Sequence, residues 1–344
     1  MDNDVFPLVS IITPSFNRQE FVSETLDSVM NQTFPHWENI IVDDGSTDST
    51  MDIVRHYAES DSRIKLIQRS RGPKGACTCR NEGIGHSKGK YVLFLDTDDL
   101  LEPFCIEQRI NVMEANPELD FAIFPSLMFR HKPNDLNLWW NIDKPISELK
   151  RQFHQDAICQ GTGVLWRKDS FAQIGQWDED LMLWQDIDLF FRAYIQNYKY
   201  KTFFELPPDL HNRRLESSLS RQDFNSRPKL QSRVIVIKRA ISLINEYPTK
   251  EDVKEAKYMV AEIVSGLART KTYREAIDLI EFSSEHGALN MRESHRLKRL
   301  VFLYRFKAYK FSFGRKLLDV INSEFIGIES TLGTIPHKMA SAVK

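Results

Sequence analysis

Three carboxylates, Asp96, Asp98 and Asp99, stand within four positions of each other, directly after the apolar run Tyr91–Leu95. Five apolar residues in a row read as a strand buried on both faces, the middle of a parallel sheet. Three anions at a dry sheet end are costly, so the cluster is expected in an open crevice beside a cation. In open α/β sheets, ligands bind outside the carboxyl ends of the strands. The pair Asp96-Thr97-Asp98 offers hard oxygen ligands suited to Mg2+ or Mn2+, with positions left for phosphate oxygens. Standing alone, the same residues also describe a solvated acidic turn. A second acidic strand end, Val42-Asp43-Asp44-Gly45-Ser46-Thr47-Asp48, adds weight to the first reading.

The elements that must position these groups follow from periodicity. Val9–Thr13 reads as a first strand ended by Pro14, with Ser15-Phe16-Asn17-Arg18 as its loop. Phe21, Val22, Leu26, Val29 and Met30 fall at helical spacing, and Thr33-Phe34-Pro35 stops that helix. Glu38–Val42 is a second strand, and Asp48 or Ser49 caps a helix over 50–59. A short strand Ile64–Ile67, a glycine-bearing loop 71–75 and a helix from about Ala76 to Ser87 follow. After Pro103 come a helix to about Asn116 and a strand Phe121–Phe124. Residues 130–156 form either a loop over the site or a packed excursion. Thr162–Trp166 is a further strand, Ser170–Ile174 a short helix, and the chain turns helical again around Asp186. This alternation predicts an α/β fold with an open, mostly parallel sheet flanked by helices. No Gly-x-Gly-x-x-Gly follows the first strand and no Walker A lysine motif occurs, so phosphates must be held otherwise. Asp96 and Asp98 with a metal ion are the available means.

Composition sets the outer limits. Residues 227–344 carry 22 Lys and Arg against 13 Asp and Glu, whereas residues 1–226 carry 24 against 35. The change falls near Arg221–Pro228. Beyond it the apolar spacing is helical throughout, which predicts a C-terminal α-helical domain. The expected division is 1–225, 226–325 and a flexible tail 326–344. No apolar run approaches the ~20 residues of a membrane helix, and Met1-Asp2-Asn3-Asp4 is acidic where a signal peptide is basic. A cytoplasmic protein is expected. Arg292–Lys316 interleaves nine basic residues with apolar ones, against the single acid Glu293. Such a segment lies on an anionic membrane, at its inner face, or binds an acidic partner, or else is a bundle helix with a solvated basic face. Cys77, Cys79, Cys105 and Cys159 suggest neither disulfides nor a zinc site.

The blocks Val9-Ser10-Ile11-Ile12-Thr13-Pro14-Ser15-Phe16-Asn17-Arg18, Val42–Asp48, Arg80-Asn81-Glu82-Gly83-Ile84, Leu95–Asp99 and Gln185-Asp186-Ile187-Asp188-Leu189-Phe190-Phe191-Arg192 resemble glycosyltransferase family 2. The resemblance covers roughly residues 7 to 220. It implies the GT-A (Rossmann-like) fold and an inverting transfer of a sugar from a nucleotide donor, UDP-sugar by preference, to a glycan or lipid-linked acceptor in cell-surface polysaccharide synthesis. It places Pro14, Phe16, Asn17, Asp44, Arg80, Asp96 and Thr97 on the nucleotide, with Asp44 accepting a hydrogen bond from the base. It makes Asp98 the direct ligand of Mn2+ or Mg2+, with Asp96 assisting and His211 as a third ligand or else a surface-loop histidine. Asp186 is the implied general base, against the alternative that it caps its helix. The sequence departs from the family at Gln185, where a glutamate is usual. A nucleotide-sugar-binding protein without turnover is the alternative function, and a nucleotidyltransferase is disfavoured by the missing phosphate loop. No nucleic-acid partner is expected.

Overall fold

The computed structural model describes residues 8–140, 142–215, 222–247, 249–327 and 334–336. Strands β1 (Val9–Ser15), β2 (Trp37–Asp43), β3 (Ile64–Gln68) and β4 (Tyr91–Phe94) alternate with helices α1 (Val22–Met30), α2 (Thr50–Ser60) and α3 (Ala76–His86). Then come β5 (Leu100–Leu101), α4 (Cys105–Ala115), β6 (Phe121–Ile123), β7 (Ser126–Phe129), β8 (Leu138–Trp139) and α5 (Glu148–Phe153). A 3-10 turn at Gly161–Gly163 leads into β9 (Val164–Arg167), α6 (Lys168–Gln173), α7 (Gln185–Ile195), β10 (Tyr200–Thr202) and β11 (Leu210–Arg213). Helices α8 (Arg227–Glu246), α9 (Lys257–Arg269), α10 (Tyr273–Glu285), α11 (Met291–Arg305) and α12 (Ser312–Ser323) complete the described chain.

Seven strands form one sheet in the order β10-β6-β9-β4-β1-β2-β3. Only β9 runs against its neighbours, so the sheet is mostly parallel, as the alternation predicts. Every residue of β1 and β2 is buried, because helices cover both faces. Ile11, Ile41 and Leu93 point to the side of α1, α2 and α4. Ile12, Val42 and Phe94 point to the other side, and that core runs without a break through α7 into α8, α9, α10 and α11. A smaller sheet, β5-β11-β7-β8, was not legible in the sequence. Segment 130–156 is a packed excursion: Phe153 is buried against Phe191 of α7, with ring centroids 4.7 Å apart.

Pro14 does not end the first strand. It pairs with Val42 of β2, while the pairing of β1 with β4 stops at Ile12. Alternation points the Pro14 nitrogen to the β4 side, beyond the end of β4, where no ladder bond is lost. The expected domain boundary touches Arg221, which lies outside the described residues. Of the expected tail, residues 328–333 and 337–344 lie outside them too, and within 334–336 Pro336 bridges to Leu138 of β8. No helix among the described residues is long and apolar enough to cross a membrane.

Gly83 sets how closely α3 lies on the sheet. A methyl group there would come within 2.6 Å of Ile12 Cγ2 and 3.3 Å of Val42 Cγ2, both in fully buried β-branched side chains. An alanine would gain about 1 kcal/mol of helix propensity, whereas a β-branched residue gains less and adds two more methyls to the clash. Gly83→Val is therefore expected to destabilise the protein by about 1–3 kcal/mol through overpacking. A lowered urea midpoint with an unchanged slope is the measurement.

Candidate functional site

The site lies where β1, β2 and β4 end. After β2, buried Asp43 shapes its own loop: its Oδ2 accepts from the backbone of Gly45 at 3.0 Å and Ser46 at 2.8 Å. Asn17, at a positive φ of 51°, joins this loop to the one after β1. Its amide donates to Ser46 Oγ at 2.9 Å, and its Oδ1 accepts from the Thr47 amide at 2.8 Å. The Asn17 side chain thus braces two loops and does not face a ligand space. Asp44 accepts from Arg69 Nε. The Lys74 ammonium sits 3.5 Å from the Phe16 ring centroid, a cation–π contact across the mouth of the site.

The acidic run after β4 divides by direction. Asp96 is the most open, its side chain 41% exposed, and it accepts from Arg80 at 2.6 Å. The Thr97 side chain is buried, and its hydroxyl is 3.5 Å from the Pro14 carbonyl. It ties the turn to the end of β1. Burial, with Asp96 beside it, pushes the Asp98 carboxyl up to about 6. Asp99 is a correction to the expected open cluster of three: it is buried and structural. Its oxygens accept from the Arg213 amide at 2.9 Å and Asn212 Nδ2 at 2.8 Å, fastening the turn to β11.

His211 is not the surface-loop histidine of the alternative: it sits buried in β11 with its Nε2 2.6 Å from Glu102 Oε1, and its Nδ1 has no hydrogen-bond partner among the described residues. Among the described residues no three His, Cys, Asp or Glu groups come together as a metal cage. Two neighbouring carboxylates are nevertheless the donor set that a Mg2+-like ion takes, one or two protein oxygens with the rest supplied by water and substrate phosphate. Asp98 and Asp96 fit such a shared ion.

Asp186 faces this cluster from α7. The residue capping that helix is Trp184, with left-handed φ 66° and no side-chain cap bond, and Asp186 is the second helical residue. The capping alternative for Asp186 therefore falls. Its Oδ1 is buried without a hydrogen-bond partner among the described residues. Burial pushes its carboxyl up to about 6, opposed by Arg80 and the Gly161 amide and reinforced by Asp96. A glycine faces it at close range: a Cβ on Gly161 would lie 3.1 Å from Asp186 Oδ1 and 3.2 Å from the Trp177 ring, so a larger residue would crowd both. Arg80 lies over the same Trp177 ring, 4.7 Å from its centroid, so one guanidinium links Asp96 to the surroundings of Asp186.

The approach to α7 is clamped on both sides. Towards α3, Glu179 accepts from both guanidinium nitrogens of Arg71 at 2.6 Å and from Asn81 at 2.7 Å. Towards the helical region, Arg239 of α8 donates to Asp178 at 2.7 Å and to Asp188 at 2.6 Å. Asp188 is buried and also accepts from Arg192 at 2.9 Å, which removes it as a free proton acceptor. Ser232 Oγ of α8 accepts from the Met182 amide at 2.8 Å. Gln185 donates to the Leu181 carbonyl at 2.9 Å, a backbone-holding task that needs no charge. Gly161, Arg239 and Glu179 carried no signal in the sequence: a lone glycine, a helical arginine and one acid among several.

A sheet of this order with its carboxylates at the strand ends is the GT-A fold. TarS of S. aureus, residues 1–349 in complex with UDP-GlcNAc, shares it with a TM-score of 0.64, at 18% identity and over 92% of both chains. Residues 10–175 match the model of Glycosyl transferase family 2. TuaG of Bacillus subtilis, assigned to teichuronic acid biosynthesis, is 43% identical over 107 residues, 31% of this chain and 42% of TuaG. WfgD of Escherichia coli, a UDP-Glc:α-D-GlcNAc-diphosphoundecaprenol β-1,3-glucosyltransferase, is 39% identical over 109 residues, 32% of this chain and 42% of WfgD. The chain thus spans less than half the length of these two curated relatives.

The raised pKa of Asp186 has a stability consequence with a definite sign. A carboxyl whose folded value lies above its unfolded one stabilises when protonated, and that contribution is lost as pH rises from about 4 through about 6. Asp186→Asn removes the buried charge. It is expected to be more stable than the parent at pH 7.5, by roughly 1–3 kcal/mol, with the gap closing as pH falls below about 6. Thermal melts across that range are the check.

Proposed function

We propose that this protein transfers a sugar, from a nucleotide diphosphate donor of the UDP-sugar type, to an acceptor hydroxyl with inversion, in the building of a cell-surface polysaccharide. One observation carries the reading: a buried carboxylate oxygen, Asp186 Oδ1, is left without a partner beside the Arg80–Asp96 pair at the strand ends. Buried polar atoms are normally satisfied, and an exception in a cleft suits a ligand that brings its own donor. The acceptor hydroxyl is that donor. Asp186 takes its proton as the oxygen attacks the anomeric carbon, and a carboxyl near 6 is a better proton acceptor at neutral pH than an ordinary aspartate. A single displacement needs one such base and no enzyme nucleophile, which accords with Asp188 being committed to Arg192 and Arg239.

On the donor side, Phe16 and Pro14 flank the base, Asp44 accepts its hydrogen bond, and Asp96 meets the ribose. Arg80 stands where it can approach the diphosphate. A divalent ion held by Asp98 and Asp96, Mn2+ or Mg2+, would offset the negative charge that builds on the departing nucleotide diphosphate. The names of the similar proteins support the substrate class: WfgD takes UDP-Glc to a lipid-linked GlcNAc, and TarS was crystallised with UDP-GlcNAc. The proposal includes a cytoplasmic reaction on a lipid-linked or growing glycan acceptor. Residues 1–225 would then hold the donor site, with the helical part 226–325 bracing the base.

Two experiments test this. UDP affinity, measured by calorimetry, is expected to depend on Mn2+ or Mg2+ and to lose that dependence in Asp98→Ala; equal affinity in EDTA and in Mn2+ rejects the metal. In a transfer assay, Asp186→Asn is expected to lose roughly 10²–10⁴-fold in kcat with UDP affinity unchanged, and the parent's kcat should fall below about pH 6. Near-parental turnover by Asp186→Asn removes that residue from the mechanism and would leave a binding protein as the better reading if the parent too is inactive.

A further inference from the structure

The turn joining α11 to α12 presents a surface that nothing among the described residues covers. Among the described residues, eight of the twelve large apolar side chains left exposed fall within 291–326. Four are phenylalanines about this turn: Phe302 (58% exposed), Phe306 (61%), Phe311 (70%) and Phe313 (76%). They are not core residues out of place, because Leu297, Leu300 and Val301 already fill the inward face of α11. Phe302 and Phe306 rest on each other, 4.4 Å between centroids.

Charge accompanies them. Between Glu293 and Asp319 the chain has eight Lys and Arg and no acid. Arg296 and Lys298 are spent on Glu324 and Glu281. Arg299, Arg305, Lys307, Lys310, Arg315 and Lys316 are exposed and make no ion pair among the described residues. The segment is not one basic amphipathic helix lying flat. Lys307, at φ 55°, breaks it into two helices, and the break gathers rings and cations at one protruding knuckle.

Two needs must be met together, cover for four rings and counter-charge for six cations. A second copy docking through the same face would oppose like charges. A soluble polyanion would satisfy the cations and leave the rings in water. An anionic bilayer satisfies both, taking apolar groups at the headgroup–acyl boundary and cations at the phosphates. We infer that the α11–α12 turn docks the protein on an anionic phospholipid surface, with Phe306, Phe311 and Phe313 entering the interface and Arg305, Lys307 and Lys310 at the lipid phosphates. This inference does not rest on sugar transfer, since docking requires no turnover.

The test uses the full chain, sedimented with vesicles of phosphatidylcholine alone or mixed with phosphatidylglycerol. Binding is expected only to the mixed vesicles and should weaken as salt is raised. Two triple variants, Phe306→Ser/Phe311→Ser/Phe313→Ser and Arg305→Gln/Lys307→Gln/Lys310→Gln, should each lose roughly tenfold in binding. Both should keep the parental melting temperature, since the changed side chains lie outside the core. No binding to mixed vesicles at low salt overturns the inference, as does undiminished binding by the phenylalanine variant or equal binding to both vesicle types. Capture by soluble polyphosphate without vesicle binding would also overturn it, pointing to a polyanion.

Discussion

Buried Asp188 holds two arginines, Arg192 from its own helix and Arg239 from α8, and the geometry of the candidate site hangs on that trio. A buried carboxylate is tolerable only while its cations stay in place, and stranding one such charge typically costs about 3–5 kcal/mol. The arrangement therefore fixes the rotation of α7 relative to α8, and with it the direction of Asp186 two residues earlier. Arg239 extends the same lock to Asp178, so the loop leading into α7 is fastened to the helical region as firmly as α7 is. The C-terminal helices act on the chemistry by holding, without contributing a group to it.

Against that rigid background, the electrostatics at the strand ends are deliberately incomplete. Asp43 and Asp99 are engaged by backbone amides and by side chains, and shape their turns. Asp98 and Asp186 are the two whose carboxyls burial pushes to about 6. Arg18 and Arg213 oppose the shift at Asp98, and Arg80 is shared between Asp96 and the neighbourhood of Asp186. A fold optimised only for stability would neutralise or remove such groups, and sites that keep them do so at some expense in stability.

The large sheet was legible because its central strands are long apolar runs punctuated by Pro14, Gly45 and Gly89, and because α1 and α7 show helical spacing. The second sheet was not. Its strands are two to four residues long, too short for alternation to register, and β11 carries His211, Asn212 and Arg213, which read as loop residues. That misreading is why His211 looked like a loop histidine when it is buried in β11 beside Glu102. Motif spacing placed Asp44, Arg80, Asp96, Asp98 and Asp186 around one crevice, but the direction of a side chain in a tight turn is set by its bonds. Asn17, Thr97 and Asp99 were therefore beyond the reach of pattern. The braces Arg239 and Glu179 depend on contacts across 50 or more positions of chain, which no local signal encodes.

The apolar core on one face of the sheet continues through α7 into the bundle, beside the Asp188–Arg239 pair at the same junction. Apolar packing that is shared in this way couples unfolding, because opening either part exposes surface belonging to both. Free energy taken up when a nucleotide settles at the strand ends is then distributed as amide protection over helices that never meet the ligand. The all-helical half is in this sense a thermodynamic ballast: it deepens the well in which the site sits and lets the strand ends keep their uncompensated charge.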